Sequence, residues 1–268
     1  MVVNNPSAAL AAEYSDKADA YQQHWSPVIG PMAMSLLDRL PLATAARIVD
    51  VGAGTGAHLE PFAARAPNAT VMGVDRAVGM LRLASDRPRR LLAAMDAHAL
   101  ALRSAVFDVA SLIFVLFHVP DPIASLVEVR RVLRAGGTVG VVTWGKDDAM
   151  PGLGIWKEEL DNLGAVPDPR DPIVMQRERM DTPAKLTALL RRGGFVVEQM
   201  WTQVFESRWT IDQIVDTQLG CGLTARRIGS LSAREAGECE TRARRRLAAL
   251  GPEALVYRPE ILYAIARA

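Results

Sequence analysis

Ile48-Val49-Asp50-Val51-Gly52-Ala53-Gly54-Thr55-Gly56 is a hydrophobic strand that runs into three glycines and then into a helical pattern. Glycines at such a junction permit a tight turn and let a ligand approach the backbone closely, and the start of the helix offers unpaired N–H groups. A nucleotide-like ligand follows. The spacing is Gly-x-Gly-x-Gly, whereas a dinucleotide fingerprint reads Gly-x-Gly-x-x-Gly, and the Gly-Lys-Ser/Thr of a triphosphate loop is absent. Pyrophosphate and triphosphate binders therefore lose ground. Asp75 ends the next apolar run, 19 residues after Gly56, where a carboxylate is able to accept from both hydroxyls of a ribose. Dehydrogenases place an acid there too, so Asp75 alone does not discriminate. Asp96, in Ala94-Met95-Asp96-Ala97-His98, is placed to accept from an adenine amino group.

Around this stretch, short β-rich apolar runs alternate with helical patterns, which predicts a doubly wound α/β fold with a mostly parallel sheet. Strands are expected at 47–51, 70–75, 90–95, 107–114 and 138–144, with helices at 56–66, 78–85 and 121–133. Gly136-Gly137 is read as the stop of the last of these helices. From Gly145 to Arg179 the chain is rich in Pro, Gly and charge, with a short helix near 155–163, and reads as an insertion or lid. A helix at 182–192, a strand at 195–205, a mostly helical stretch at 211–250 and a last strand at 260–266 complete the pattern. Leu10, Tyr14, Ala18 and Tyr21 form one helical stripe ending at His24 and Trp25, which either covers a ligand cleft or packs on the core.

The 268 residues exceed one domain of about 150 residues, and the surplus is assigned to additions around a single sheet. Residues 1–45 are read as cover helices and 46–145 as the ligand-binding core. Residues 146–268 are read as lid, remaining strands and a helical substrate-side insertion. Hydrophobic residues make up 50% and the net charge is +1, from 31 basic and 30 acidic residues, which weighs against nucleic acid or an anionic membrane and for a small-molecule partner. Only four of the basic residues are lysines. The two cysteines, Cys221 and Cys239, form neither a metal-finger spacing nor a disulfide framework, and no metal is expected. The amino terminus lacks the pattern of a secretion signal, and the apolar run 109–119 is too short to span a bilayer. A cytoplasmic protein, monomer or homodimer, is expected.

Five spaced segments carry a resemblance over roughly residues 47–144. They are Asp50-Val51-Gly52-Ala53-Gly54-Thr55-Gly56, Gly73-Val74-Asp75, Met95-Asp96-Ala97, Phe107-Asp108 with His118-Val119-Pro120-Asp121, and Arg131-Val132-Leu133-Arg134-Ala135-Gly136-Gly137. In this order the chain resembles the class I S-adenosylmethionine-dependent methyltransferases, in particular the subgroup of the ubiquinone and menaquinone biosynthesis enzymes (methyltransferase type 11). The resemblance implies a Rossmann-like, seven-stranded sheet whose last strand is antiparallel, with 260–266 as that strand, and S-adenosyl-L-methionine as cofactor. It implies that Asp50, Gly52, Ala53, Gly54 and Gly56 surround the methionine part of the cofactor. Asp75, followed by Arg76, would meet the ribose, Asp96 and Ala97 the adenine, and Ile113 and Phe114 the amino acid moiety.

Methyl transfer from a sulfonium is an in-line displacement in which the protein chiefly supplies alignment. A hydroxyl, carbon or ammonium acceptor also loses a proton, whereas a carboxylate has none to lose. His118, just past the fourth strand, is the first candidate base and His24 the second; His58 and His98 read as structural. Trp144, Trp156, Trp201 and Trp209, with Met150 and Met175, are either an acceptor pocket or core filler. The 242–246 arginine cluster is either a partner for an acidic substrate or, the reading favoured, a solvated helix face. The function expected is methyl transfer to a small molecule, with oxygen ahead of carbon and nitrogen as acceptor atom. An NAD-dependent oxidoreductase, a nucleic-acid methyltransferase and a catalytically silent cofactor-binding protein are the competing classes.

Overall fold

The computed structural model describes residues 5–85, 91–146, 150–168 and 170–268. Seven strands form one sheet: β1 (Arg47–Val51), β2 (Thr70–Asp75), β3 (Leu91–Ala94), β4 (Phe107–Ile113), β5 (Leu133–Trp144), β6 (Val196–Val204) and β7 (Glu260–Arg267), in the order β3-β2-β1-β4-β5-β7-β6. β1 to β5 are mutually parallel, and β7 runs antiparallel between β5 and β6. The sheet is thus the mostly parallel, doubly wound one expected, with the last strand as its antiparallel member. Arg90, expected to open the third strand, lies outside the described residues.

One boundary differs from the sequence reading in a way that changes how the sheet is built. The glycine pair at 136–137 does not stop a helix: the helix ends at Val132, Leu133 is already extended, and the pair sits inside β5, where Gly136 takes φ +70. The register beside it shifts between Phe107 and Val109, a bulge that glycine accommodates without strain. β7 lies where the last strand was expected and adds Arg267, and its Ile261–Ala266 are all at most 2% exposed. A strand buried on both faces reads as a continuous apolar run rather than as an alternation.

The helices that matter for the site are α1 (Pro6–Asp16), α2 (Leu59–Arg65), α3 (Val78–Ser85), α4 (Pro122–Val132), α5 (Pro151–Asn162), α6 (Pro183–Arg192), α7 (Ile211–Gly220), α8 (Gly222–Ile228) and α9 (Ala233–Ala248). After α1 the chain continues through a π turn, Tyr21–Trp25, into Ser26–Ile29 and Met34–Leu37. This amino-terminal stretch does two jobs. Its second half is core: a Cβ on Gly140 of β5 would stand 2.9 Å from Leu36, and the buried Tyr263 hydroxyl of β7 donates to the Met32 carbonyl at 2.6 Å. Its first half packs on α3 through a separate small cluster of Ala18, Ala77 and Met80. There the Gly79 N–H donates to Ser15 Oγ at 3.1 Å, and a Cβ at position 79 would come 2.3 Å from the Ser15 carbonyl oxygen. Among the described residues no helix is long and apolar enough to cross a membrane.

Asp50 is part of this sheet rather than of an open loop. It is 1% exposed, and one oxygen accepts from Ser111 of β4 at 2.6 Å while the other has no hydrogen-bond partner. Desolvation pushes its carboxyl up to about 7, against the lowering effect of the Ser111 hydrogen bond.

Two outcomes are expected. The folded state holds the Asp50 proton up to a higher pH than the unfolded chain, so stability from this group is complete below pH 4 and is lost as pH rises toward 7. Asp50→Asn removes that loss: denaturant titrations at pH 8 should find the variant more stable than wild type, and the advantage should vanish near pH 4. Gly79→Ala favours an isolated helix by up to about 1 kcal/mol, yet its Cβ meets the Ser15 backbone. Trypsin should therefore cleave after Lys17 several-fold faster in the variant, whereas unchanged cleavage would show that α1 does not depend on this contact.

Candidate active site

At the carboxyl ends of β1, β2 and β4, where ligands of open α/β sheets bind, a cavity of about 870 Å³ opens to solvent. Its lining includes Gly52 and Gly54 after β1, Asp75, Arg76 and Ala77 after β2, Asp96, Ala97 and His98 after β3, and Ile113, Phe114 and His118 after β4. The cover segment closes it with Leu10, Tyr14 and Tyr21.

The glycine loop is shaped by three left-handed residues, Gly52 (φ +79), Gly54 (φ +54) and Gly56 (φ +74). They carry the chain through consecutive turns, so α2 begins at Leu59 rather than at Gly56. Backbone of the loop, not the helix start, faces the cavity. A Cβ on Gly52 would stand 2.2 Å from Val115 Cγ2, whereas one on Gly54 would meet no protein atom within 4 Å. Gly52 is thus needed for packing against the turn after β4, and Gly54 leaves room at the cavity. Ala53 is 6% exposed, with its N–H on the Val74 carbonyl, and the Gly56 N–H binds the Ala53 carbonyl. Ala53 and Gly56 shape the loop without lining the cavity, and Asp50 does not line it either.

Asp75 is fixed by its backbone surroundings. One carboxylate oxygen accepts from the Gly54 N–H and the other from the Ala77 N–H, each at 2.8 Å. Burial raises its pKa, and these amides pull it back down. Each oxygen keeps a lone pair for an incoming hydroxyl. Asp96 is engaged more fully: one oxygen meets the His98 N–H at 2.9 Å and His98 Nδ1 at 3.0 Å, the other meets Arg76 at 3.0 Å. Burial opposes ionisation of Asp96, but the His98 amide and ring and the Arg76 cation bring its carboxyl below the usual range. His98 Nε2 in turn takes the Asp121 N–H at 3.2 Å, so this histidine ties the β3 turn to the start of α4, as a structural residue would.

The wall after β4 is strained and aromatic. Phe114 has φ +57, unusual for a side chain of its size, and packs on Trp144 with ring centroids 4.5 Å apart. His118 Nδ1 lies 3.2 Å from the Val174 carbonyl, and Nε2 lies 3.0 Å from the Tyr14 hydroxyl. A carbonyl only accepts, so Nδ1 carries the proton and Nε2 accepts from Tyr14. Burial holds the His118 imidazole down at about 4 and pushes the Tyr14 phenol up to about 12.

The structure gathers most of the expected residues but not all. His24 lies away from this cavity, in a surface pocket with Trp209, Phe205 and Asp216. His58 is 7% exposed on the sheet side, and burial lowers its pKa to about 4. None of Trp144, Trp156, Trp201 and Trp209 lines the cavity. Trp156 is fully buried, Trp201 stacks on Tyr263 at 4.9 Å, and Trp144 stands behind Phe114. Met150 is buried and Met175 is 39% exposed, so these residues do not form an acceptor pocket. Arg242 and Arg244 pair with Glu238 and Glu240 on their own helix, whereas Arg246 reaches the buried Glu159 of α5, so the cluster is only in part a solvated face. Tyr14, read from the sequence only as one member of a stripe, is the residue whose part at the cavity was missed. Among the described residues no cluster of His, Cys, Asp or Glu is arranged to hold a metal ion.

A methyltransferase domain family matches residues 49–141. The chain is 39% identical over 104 residues to a malonyl-[acyl-carrier protein] O-methyltransferase of Geobacter sulfurreducens, covering 37% of this chain and 39% of the relative. It is 31% identical over 126 residues to a demethylmenaquinone methyltransferase of Renibacterium salmoninarum, covering 47% and 52%. The chain thus spans about half or less of the length of these curated relatives. Among solved structures, phosphoethanolamine N-methyltransferase 2 of Haemonchus contortus, in complex with phosphomonomethylethanolamine and S-adenosylhomocysteine, superposes with a TM-score of 0.53 at 16% identity, over 94% of this chain and 57% of that one. At that identity the likeness is one of fold. The glycine loop, the strand order and these matches agree: residues 49–141 match a methyltransferase domain family.

Proposed function

We propose that the protein transfers a methyl group from S-adenosyl-L-methionine to an oxygen of a small molecule. The observation that carries the reading is the Asp75 carboxylate, held by the Gly54 and Ala77 amides at the mouth of a glycine loop with a short Gly-x-Gly-x-Gly spacing. This donor set fits the group: a carboxylate with free lone pairs for a ribose, an open space at Gly54, and a second carboxylate, Asp96, at the next strand end. When bound, the sulfonium supplies an activated methyl. The chain's own residues then align and enclose. Ile113 and Phe114 wall the cavity on the β4 side, and Leu10, Tyr14 and Tyr21 shut out water from above. Residues 1–45 thus act as the cover, 46–145 as the cofactor-binding core and 146–268 as the acceptor side.

His118 is assigned a positioning role. With its Nδ1 proton on Val174 and its Nε2 lone pair on Tyr14, it orients the Tyr14 hydroxyl and is a poor base. Phenols with raised pKa and carboxylates committed to other partners complete the cavity, so it holds no strong base ready for a carbon acid or an ammonium. An oxygen that is acidic or already ionised is the acceptor that such surroundings serve. The near-neutral charge and two free cysteines support a cytoplasmic enzyme that acts on metabolites rather than nucleic acid.

Calorimetry with S-adenosylmethionine, S-adenosylhomocysteine and NAD tests the reading. The first two should bind and NAD should not; tight NAD binding without S-adenosylmethionine binding would overturn it. Asp75→Ala should weaken S-adenosylmethionine at least tenfold, since hydrogen bonds to a charged group contribute about 1.5–3 kcal/mol. Gly54→Ala should weaken binding and lower the melting temperature modestly, through its left-handed φ, whereas Gly52→Ala should lower the melting temperature further, because only its Cβ also meets Val115.

A further inference from the structure

A second cavity, about 1050 Å³ and open to solvent, lies on the other side of the cover segment and shares Tyr14 and Tyr21 with the first. The two rings meet edge to face at 5.9 Å and form the wall between the cavities. Beyond that wall the lining has an apolar part with Trp25, Leu153 and Leu160, a neutral polar part with Thr217, Gln218 and Thr224, and four cations, Lys17, Lys157, Arg226 and Arg227, against one acid, Glu13. Of the four lysines in the whole chain, two, Lys17 and Lys157, stand here.

The charge balance singles out these two lysines. Glu13 is the one acidic residue in the lining, and it is paired with Arg226. Arg227 is committed to Asp161 and to the Val166 and Ala165 carbonyls. Arg226 also lies near Asp168, yet its buried Nε has no hydrogen-bond acceptor. Lys17 and Lys157 form no ion pair among the described residues. Two uncompensated cations at the mouth of a half-enclosed cavity with apolar walls attract and hold an anion that has an apolar body.

We infer that this second cavity binds the methyl acceptor by an anionic tail, and that the acceptor is a carboxylate-bearing small molecule whose carboxylate is held by Lys17 and Lys157. The apolar body lies against Trp25 and Leu160, with the reacting oxygen at the Tyr14–Tyr21 partition, which must part for the methyl to reach it. Lys17 follows α1 directly, on the same segment as both tyrosines, so a bound carboxylate also holds the cover in place. The inference rests on the methyltransferase reading, and its test is kept separate from that reading by measuring carboxylate binding directly.

Hexanoate and benzoate, with hexanamide and benzamide as uncharged controls, are titrated into the full chain by calorimetry, with and without S-adenosylhomocysteine. The same titrations are run on Lys17→Met, Lys157→Met, the double variant and Lys17→Arg. The acids should bind at least tenfold more tightly than the amides. The double variant should reduce the acids to the amide level, and Lys17→Arg should retain most of the affinity. Measured without acid, S-adenosylhomocysteine affinity should be the same in wild type and all variants, because neither lysine lines the first cavity. Amides binding as well as acids, acids unaffected by the double substitution, or no acid binding to wild type would each overturn the inference. Acid binding that follows this pattern in a protein that fails to bind S-adenosylhomocysteine would support the anion site while removing the methyltransferase reading on which its role as acceptor site rests.

Discussion

The Asp75 carboxylate is the point at which fold and site are joined. One oxygen holds the Gly54 N–H of the loop after β1 and the other holds the Ala77 N–H at the start of α3. A loop with left-handed glycines at three alternate positions has little conformational preference of its own, and glycine loses more freedom on ordering than any other residue. The charged hydrogen bond from the neighbouring strand end selects one arrangement of that loop. The same carboxylate is buried enough to resist ionisation, and backbone amides offset that resistance, so it stays available as an acceptor. Protein dipoles aimed at a site before the ligand arrives are the usual means of preorganisation.

The amino-terminal segment depends on this core and completes it. Its second half is anchored by Leu36, Leu40 and the Met32 carbonyl against β5 and β7, which lets its first half lie across the cavity on a small contact area with α3. A large anchor and a small movable contact suit a cover that opens for exchange. The π turn at Tyr21–Trp25 interrupts the regular stripe in this part of the chain, and such turns are frequent at functional sites. Tyr14 and Tyr21 line a cavity on each side, so the segment stands between the two.

What was legible in the sequence is what short-range geometry encodes. Gly52, Gly54, Asp75 and Asp96 follow successive strand ends, and strand-end residues of a parallel sheet converge on one edge whatever the rest of the chain does. Asp50 belongs to the same run, but spacing does not say that its side chain turns toward Ser111 on β4, which comes from a partner strand 61 residues later. The Tyr14–His118–Val174 chain was not legible because it joins positions separated by 104 and 56 residues on three different elements. The tryptophans were ambiguous for a physical reason: a large apolar ring fills a core as readily as it lines a pocket, and here Trp156 and Trp201 went to the core. Gly136-Gly137 misled because glycine stops a helix and relieves a bulge by the same property, freedom at positive φ.

The most direct measurement is the crystal structure of the chain with S-adenosylhomocysteine. Electron density should cross the first cavity with the ribose hydroxyls within hydrogen-bond distance of both Asp75 oxygens, the adenine beside Asp96 and the sulfur turned toward Tyr14. Density lodged elsewhere, or a ligand in this cavity whose ribose does not touch Asp75, would contradict the account.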